Sequence, residues 1–308
     1  MDEQYHVPVL ANEIVSFWIS DPQGVYLDGT LGGGGHAEQV LRKLKTGAHY
    51  IGMDRDAEAI DFARRRLAAF PNITFYPGNF TQMEDAMRQA GFDALDGILL
   101  DLGVSSWQID ADSRGFAFRP GVRLDMRMNT EDSLTASEIL NTYDEDSLRR
   151  IFREYGEERL AGRIARRLVS ERQKQPIERS EQLRRIIDGC VDARFATKSY
   201  ARIFQALRIE VNRELEQLKA VLQKALPLLK KGGRLAVISY HSLEDREVKV
   251  FFRKNENPCI CPPELPYCVC GKKPQLKRIK PFLIRPGEEE LKRNPRARSA
   301  KLRIGEKI

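Results

Sequence analysis

No stretch of the 308-residue chain approaches the roughly 18–20 consecutive apolar residues that a membrane helix needs, and charged residues make up 31% of the sequence. The sequence therefore predicts no membrane span. Met1 to Glu13 is polar and acidic and lacks the basic-then-apolar order of a secretory signal, so a cytoplasmic location is expected. No internal repeat is visible. The five cysteines are an odd number, and four of them crowd into 259–270, which is not the pattern of a secreted disulfide framework. Hydrophobic residues, at 42%, suffice for a real core, and the length allows one large domain or two modest ones.

The net charge of +7 is unevenly placed. Residues 147–213 hold 17 Lys/Arg against 9 Asp/Glu, and residues 271–308 hold 13 against 4. The remainder is net acidic. An acidic body with two basic segments predicts a polyanionic partner, although solvated helix faces give the same count.

The first hundred residues alternate short apolar runs with amphipathic ones. Val25–Asp28, Tyr50–Asp54, Asn72–Tyr76 and Gly97–Asp101 read as strands, with helices at Gly35–Leu44, Ala57–Phe70 and Thr81–Ala90 between them. That order predicts βαβ units and a parallel sheet covered on both faces. From about Gly115 to Arg213 nothing reads as a buried strand. Apolar residues there recur at helical spacing, Ser180 is placed to cap one helix, and a single long helix is expected from Ile203 to Leu222, stopped by Lys231-Gly232-Gly233. Arg234–Tyr240 resumes the sheet, Leu243–Phe252 is a helix, and Phe282–Arg285 and Ala300–Ile304 are expected as the last strands. The fold predicted is a doubly wound α/β domain, residues 1–112 and 214–308, interrupted by an inserted all-helical domain, 113–213.

Asp28-Gly29-Thr30-Leu31-Gly32-Gly33-Gly34-Gly35-His36 follows the first strand and opens a helix. Glycines permit a sharp turn and a close ligand approach. Asp54 ends the second strand, where a carboxylate can accept two ribose hydroxyls. This arrangement suits any adenosine cofactor, and Gly32 to Ala37 also satisfies the G-x-G-x-x-A pattern of nicotinamide enzymes. Phe80, after the third strand, is placed to pack on an adenine face or to be ordinary core. Asp101 puts a second carboxylate at the carboxyl edge of the sheet, where open α/β sheets bind ligands.

Seven stretches give a more specific resemblance. They are His6–Leu10, Asp28–His36, Asp96–Ser106, Arg114–Phe116 with Leu124–Met128, Phe204–Ile209, His241–Arg246 and Asn294–Ser299. In order and over nearly the whole chain, the sequence resembles the bacterial ribosomal RNA small-subunit methyltransferase H family. The resemblance implies a Rossmann-like methyltransferase fold with a helical insertion. It implies transfer of a methyl group from S-adenosylmethionine to N4 of a cytidine in the decoding region of 16S rRNA, within the small subunit. It also implies cofactor contacts at Gly34, Gly35, His36, Asp54, Phe80, Asp101 and Gln108. Two departures stand out. Ala196–Ala201 replaces the Gly-His-Pro-like stretch that family members often carry, and many members lack the cysteine cluster. Monomer and homodimer both remain open.

N4 of cytosine is a weak nucleophile, so the reaction needs alignment and a hydrogen-bond acceptor near the amine. Asp101 is the candidate. The base must also leave its stack, and Trp107 and Phe116 are candidates for a wall around it, or for packing the insertion onto the sheet. Ser105, Ser106, Asp125, Arg127 and His241 are further candidates to line the pocket. Arg149, Arg150, Arg163, Arg166, Arg167, Arg184 and Arg185 offer forks for phosphates, some of them turned to solvent or to Glu154, Glu157 and Glu158. Cys259, Cys261, Cys268 and Cys270 can enclose a structural zinc ion, with reduced thiols or a redox pair as alternatives; Cys190 reads as core. Two other functions fit the glycine loop: a nicotinamide-dependent oxidoreductase, and a non-catalytic RNA-binding assembly factor.

Overall fold

The structure, a computed structural model, describes residues 8–103, 109, 111–265 and 267–308. The chain forms two compact units, Met1–Gly103 with Gln217–Ile308, and Val104–Glu216. In chain order the first unit opens with α1 (Ala11–Trp18), β1 (Val25–Asp28), α2 (Gly35–Leu41), β2 (His49–Asp54), α3 (Ala57–Arg66), β3 (Ile73–Pro77), α4 (Met83–Ala90) and β4 (Leu95–Asp101). The second unit holds α5 (Ala136–Thr142), α6 (Glu145–Glu154), α7 (Ala161–Arg172), α8 (Ser180–Asp188) and α9 (Ala193–Asn212). Then follow α10 (Glu214–Leu228), β5 (Leu229–Ser239), α11 (Ser242–Glu256), β6 (Leu276–Arg278), α12 (Glu288–Arg293) and β7 (Lys301–Lys307).

The seven strands run in the order β3-β2-β1-β4-β5-β7-β6. The five on the β3-to-β5 side are mutually parallel, and β7 and β6 join antiparallel. The doubly wound α/β sheet expected from the alternation is therefore present. Period-2 alternation decides its two faces. Leu27, Ile51, Met53, Ile98, Leu100, Leu235 and Val237 point to α4, α10 and α11. Tyr26, Tyr50, Leu99, Ala236 and Ile238 point to α1, α2 and α3. Each large apolar side chain so covered contributes about 1.5–3 kcal/mol.

The second unit has its own core, built from Leu148, Ile151 and Phe152 of α6, Ile164 and Leu168 of α7, Leu183 and Ile187 of α8, and Ile203, Phe204 and Leu207 of α9. Among its described residues no strand forms; one bridge joins Arg123 to Arg179. Asn212, at the end of α9, is buried and fully used. Its Nδ2 donates to the carbonyls of Met126 and Arg208 at 2.8 Å, and its Oδ1 accepts from Met128 N at 2.9 Å.

Several expectations need correction. The single long helix from Ile203 is two helices, because Arg213 takes a left-handed conformation at φ 49° between α9 and α10. Lys231-Gly232-Gly233 does not cap a helix. It lies within β5, where the register against β4 jumps from Leu95↔Leu229 to Gly97↔Arg234 and the extra residues bulge out. Ser180 is the first residue of α8 and not its cap; its buried hydroxyl donates to the Arg119 carbonyl at 2.6 Å. Phe282–Arg285 gives only an isolated bridge, Ile284 to Leu302, and the edge strand is Leu276–Arg278 instead. The helix α1 was not anticipated. Its Trp18 is fully buried, and the indole Nε1 donates to the Arg234 carbonyl at 3.1 Å.

Candidate functional site

The sheet order reverses beside β1, since β2 and β3 lie to one side and β4 and β5 to the other. Crevices form at the carboxyl ends of strands at such a point. Four segments singled out in the sequence therefore share one edge: the loop after Asp28, Asp54, the turn at Phe80, and Asp101.

The glycine loop is tied on both sides. On the β2 side, Leu31 N donates to Met53 O at 2.8 Å and Gly32 N to Asp54 Oδ2 at 2.8 Å. On the β4 side, Gly29 N donates to Leu99 O at 2.9 Å and Asp101 N to Thr30 Oγ1 at 2.6 Å. Two glycines are required by conformation, Gly32 at φ 51° and Gly34 at φ 76°. A Cβ on Gly34 would also lie 3.0 Å from Leu67 Cδ1. Gly35 opens α2 against Pro8.

Asp54 is half-buried and accepts at both oxygens, from Gly32 N and, at 2.9 Å, from Asp56 N. Burial raises its carboxyl above the usual range, against the pull of those two bonds. Each carboxylate oxygen has a second lone pair, so hydroxyls can still be accepted at the strand end. Phe80 opens a short turn capped by Asn79, is half-buried, and packs beside Tyr76 on the core. A Cβ on Gly29 would lie 2.9 Å from Phe80 Cβ, so the absence of a side chain there lets Phe80 approach the loop. The glycine loop, the Asp54 carboxylate and the Phe80 side chain thus lie along one edge, which fits an adenosine cofactor.

Asp101 sits at the centre of a polar cluster. Tyr240 Oη donates to its Oδ1 at 2.9 Å, and His36 Nδ1 lies 3.6 Å from its Oδ2. The Tyr240 phenol is pushed well above its ordinary pKa by burial and then by the Asp101 charge, so it remains a donor. The buried His36 presents Nε2 to the Val9 carbonyl at 2.8 Å, and burial lowers its pKa. Asp28 lies beneath, fully buried, accepting from Tyr50 Oη at 3.0 Å and from Thr30 N at 3.0 Å. Burial pushes its carboxyl up to about 6, with Asp101 adding to the rise and His36 opposing it.

Tyr240 was missed in the sequence, and Asp28 and Thr30 were named there only as part of the glycine loop, without these roles. Tyr240 lies two residues beyond Ile238, the register partner of Asp101, so strand pairing was the signal that locates it. Gly103 matches it; at φ 107° its absent Cβ would lie 3.3 Å from the Tyr240 ring.

Other candidates are placed differently. Ser105, Ser106, Trp107 and Gln108 lie outside the described residues. His241 caps α11, with Glu244 N donating to Nδ1 at 3.4 Å and Glu244 Oε1 lying 3.1 Å from Nε2. In the second unit, Arg127 grips Asp125 with Nε at 2.8 Å and Nη2 at 2.7 Å, and its Nη1 donates to the carbonyls of Thr130 and Asp132. Partial burial of Asp125 works to raise its pKa, but the guanidinium outweighs it and the carboxyl lies below the usual range. Phe116 packs on the helical core. The stretches 114–116 and 124–128 meet there, Met126 N donating to Arg114 O at 3.0 Å. Among the insertion arginines, Arg149 pairs with Asp146, Arg166 with Glu145, and Arg167 donates to the Gly189 carbonyl.

A family model described as the MraW methylase family matches residues 3–308. The chain belongs to the MraW methylase family. Two curated relatives named ribosomal RNA small subunit methyltransferase H agree with this. The one from Carboxydothermus hydrogenoformans is 48% identical over 307 residues, 98% of each chain. The one from Trichlorobacter lovleyi is 47% identical over 313 residues, covering both chains completely. A solved rRNA methylase from Streptococcus thermophilus aligns over 97% of this chain and 93% of its own, at 10% identity and a TM-score of 0.43. At that score the MraW methylase assignment rests on the sequence relatives. As an MraW methylase the chain is a methyltransferase, and the oxidoreductase reading of its glycine loop falls away.

Proposed function

We propose that the protein transfers a methyl group from S-adenosylmethionine to N4 of a cytidine in the decoding region of 16S rRNA, acting on the small ribosomal subunit in the cytoplasm. The relatives' names support rRNA as the substrate. The observation that carries the chemistry is the position of Asp101, at the carboxyl end of β4 beside the glycine loop, with its carboxylate oriented by Tyr240.

S-adenosylmethionine supplies an electrophilic sulfonium methyl when bound. Gly34, Gly35 and His36 would line it, Asp54 would accept its ribose hydroxyls, Phe80 would pack on its adenine, and Gln108 would complete the contacts. The amine nitrogen of cytosine is a poor nucleophile because its lone pair is delocalised into the ring. A fixed carboxylate that accepts a hydrogen bond from that amine favours the pyramidal nitrogen needed for attack. Asp101 fills that role, and Tyr240 acts through it as a positioning residue. The target base has to be turned out of its stack to reach such a group. Ser105, Trp107, Asp125, Arg127 and His241 are the candidates to receive it, and the helical domain 113–213 is the candidate for RNA recognition, through its surplus of basic residues.

The test is transfer from labelled S-adenosylmethionine to unmethylated small subunits and to free 16S rRNA, followed by nucleoside mass spectrometry. N4-methylated cytidine in the subunits is the expected product. Label on another base, or none on either substrate while the cofactor binds, would overturn the assignment.

A further inference from the structure

We propose that Cys259, Cys261, Cys268 and Cys270 bind one zinc ion, and that this ion folds the loop between α11 and β6. The four Sγ atoms all lie within 4.8 Å of one another. Cys268 Sγ stands 3.5 Å from Cys270, 3.6 Å from Cys259 and 3.8 Å from Cys261, and Cys270 stands 4.0 Å from Cys259. Four sulfurs each bonded at about 2.3 Å to a tetrahedral zinc are separated by about 3.8 Å. A disulfide requires about 2.05 Å, so no pair in this cluster is bonded. One backbone amide, Val269 N, also points at a sulfur, Cys261 Sγ, at 3.3 Å, as amides around thiolate-bound metals do.

The rest of the loop explains why an ion is needed. Its base is closed, with Gln275 N donating to Asn255 O at 2.9 Å. Beyond that closure the described residues of the loop form no core. Ile260, Leu265, Tyr267 and Val269 are all exposed, Tyr267 at 74%. Such a segment cannot be ordered by burying apolar surface, and a metal cross-link supplies what burial does not. Zinc is favoured over iron because a solvent-exposed thiolate site suits an ion without redox chemistry. Four protein ligands leave no open position, so the ion is structural. The four thiolates and the ion leave a double negative charge, and the exposed Lys272 and Lys273 follow Cys270 with only Gly271 between.

The full-length protein, purified with reductant and without a metal-affinity tag, is to be examined by elemental analysis and intact mass. The expected result is one zinc per chain, displaced by a mercurial thiol reagent. Cobalt substitution should give thiolate-to-metal charge-transfer absorption. Cys261→Ser and Cys268→Ser should each retain at least tenfold less zinc after dialysis against a chelator, whereas Cys190→Ala should retain one equivalent. Chelation should speed tryptic cleavage after Lys272 at least tenfold. Because metal content and proteolysis are read directly, neither depends on the methyl-transfer reading. A metal-free protein with four freely titrating thiols would overturn the proposal. So would a mass lowered by disulfide formation, or iron in place of zinc.

Discussion

Tyr240 Oη donates a 2.9 Å hydrogen bond to Asp101 Oδ1, joining the end of β5 to the end of β4. The bond sets the plane of the Asp101 carboxylate at the sheet edge. Tyr240→Phe removes it while leaving the ring against Gly103. The expected outcome is a 10- to 100-fold lower kcat, about 1.4–2.7 kcal/mol of transition-state stabilisation. S-adenosylmethionine affinity, read by calorimetry, should change by less than about threefold. An unchanged kcat would show that the orientation of Asp101 does not matter.

Asp54 has a different signature. It anchors Gly32 through a 2.8 Å bond and offers its remaining lone pairs at the strand end. Asp54→Ala loses both the anchor and the ribose acceptor. Binding of S-adenosylmethionine should weaken by at least tenfold, about 1.4 kcal/mol or more. The loss should appear in the dissociation constant, with the rate at saturating cofactor much less affected.

Much of this site was legible before the structure. The alternation of apolar runs located β1, β2 and β4, and with them the Asp28 loop, Asp54 and Asp101, because strand ends in a parallel sheet converge on one edge. Tyr240 and Thr30 were not legible, because their roles come from cross-strand register and not from local pattern. Helix breaks were misread for a related reason. Arg213 carries no breaker signal yet adopts φ 49°. The Lys231-Gly232-Gly233 stop was absorbed by pairing of Leu229 with Leu95, a tertiary preference that overrode local propensity. His241, noted as a possible base contact, also caps α11 through its ring nitrogen, a role its local sequence did not announce.

Asp28 gives a pH-dependent prediction. Its folded pKa, about 6, lies above the ordinary 3.8. The folded state therefore holds this proton more tightly than the unfolded state does. The associated stability is present at low pH and is lost as pH rises between those two values. Asp28→Asn removes the titration, and the Tyr50 hydroxyl can turn to suit the amide. Relative to the parent, the variant should gain about 1 kcal/mol between pH 5 and pH 8. Denaturant unfolding at the two pH values measures this. A difference that does not change with pH would place the Asp28 pKa in the ordinary range.

Replacement of Asp101 by Asn separates assistance to methyl transfer from holding of the cofactor. Single-turnover methyl transfer to small subunits by Asp101→Asn, beside a direct measurement of S-adenosylmethionine affinity, tests that assistance most directly. The expected rate is at least about 100-fold lower, near 2.7 kcal/mol, with affinity within about threefold of the parent. A parental rate at saturating cofactor, with only affinity reduced, would contradict it.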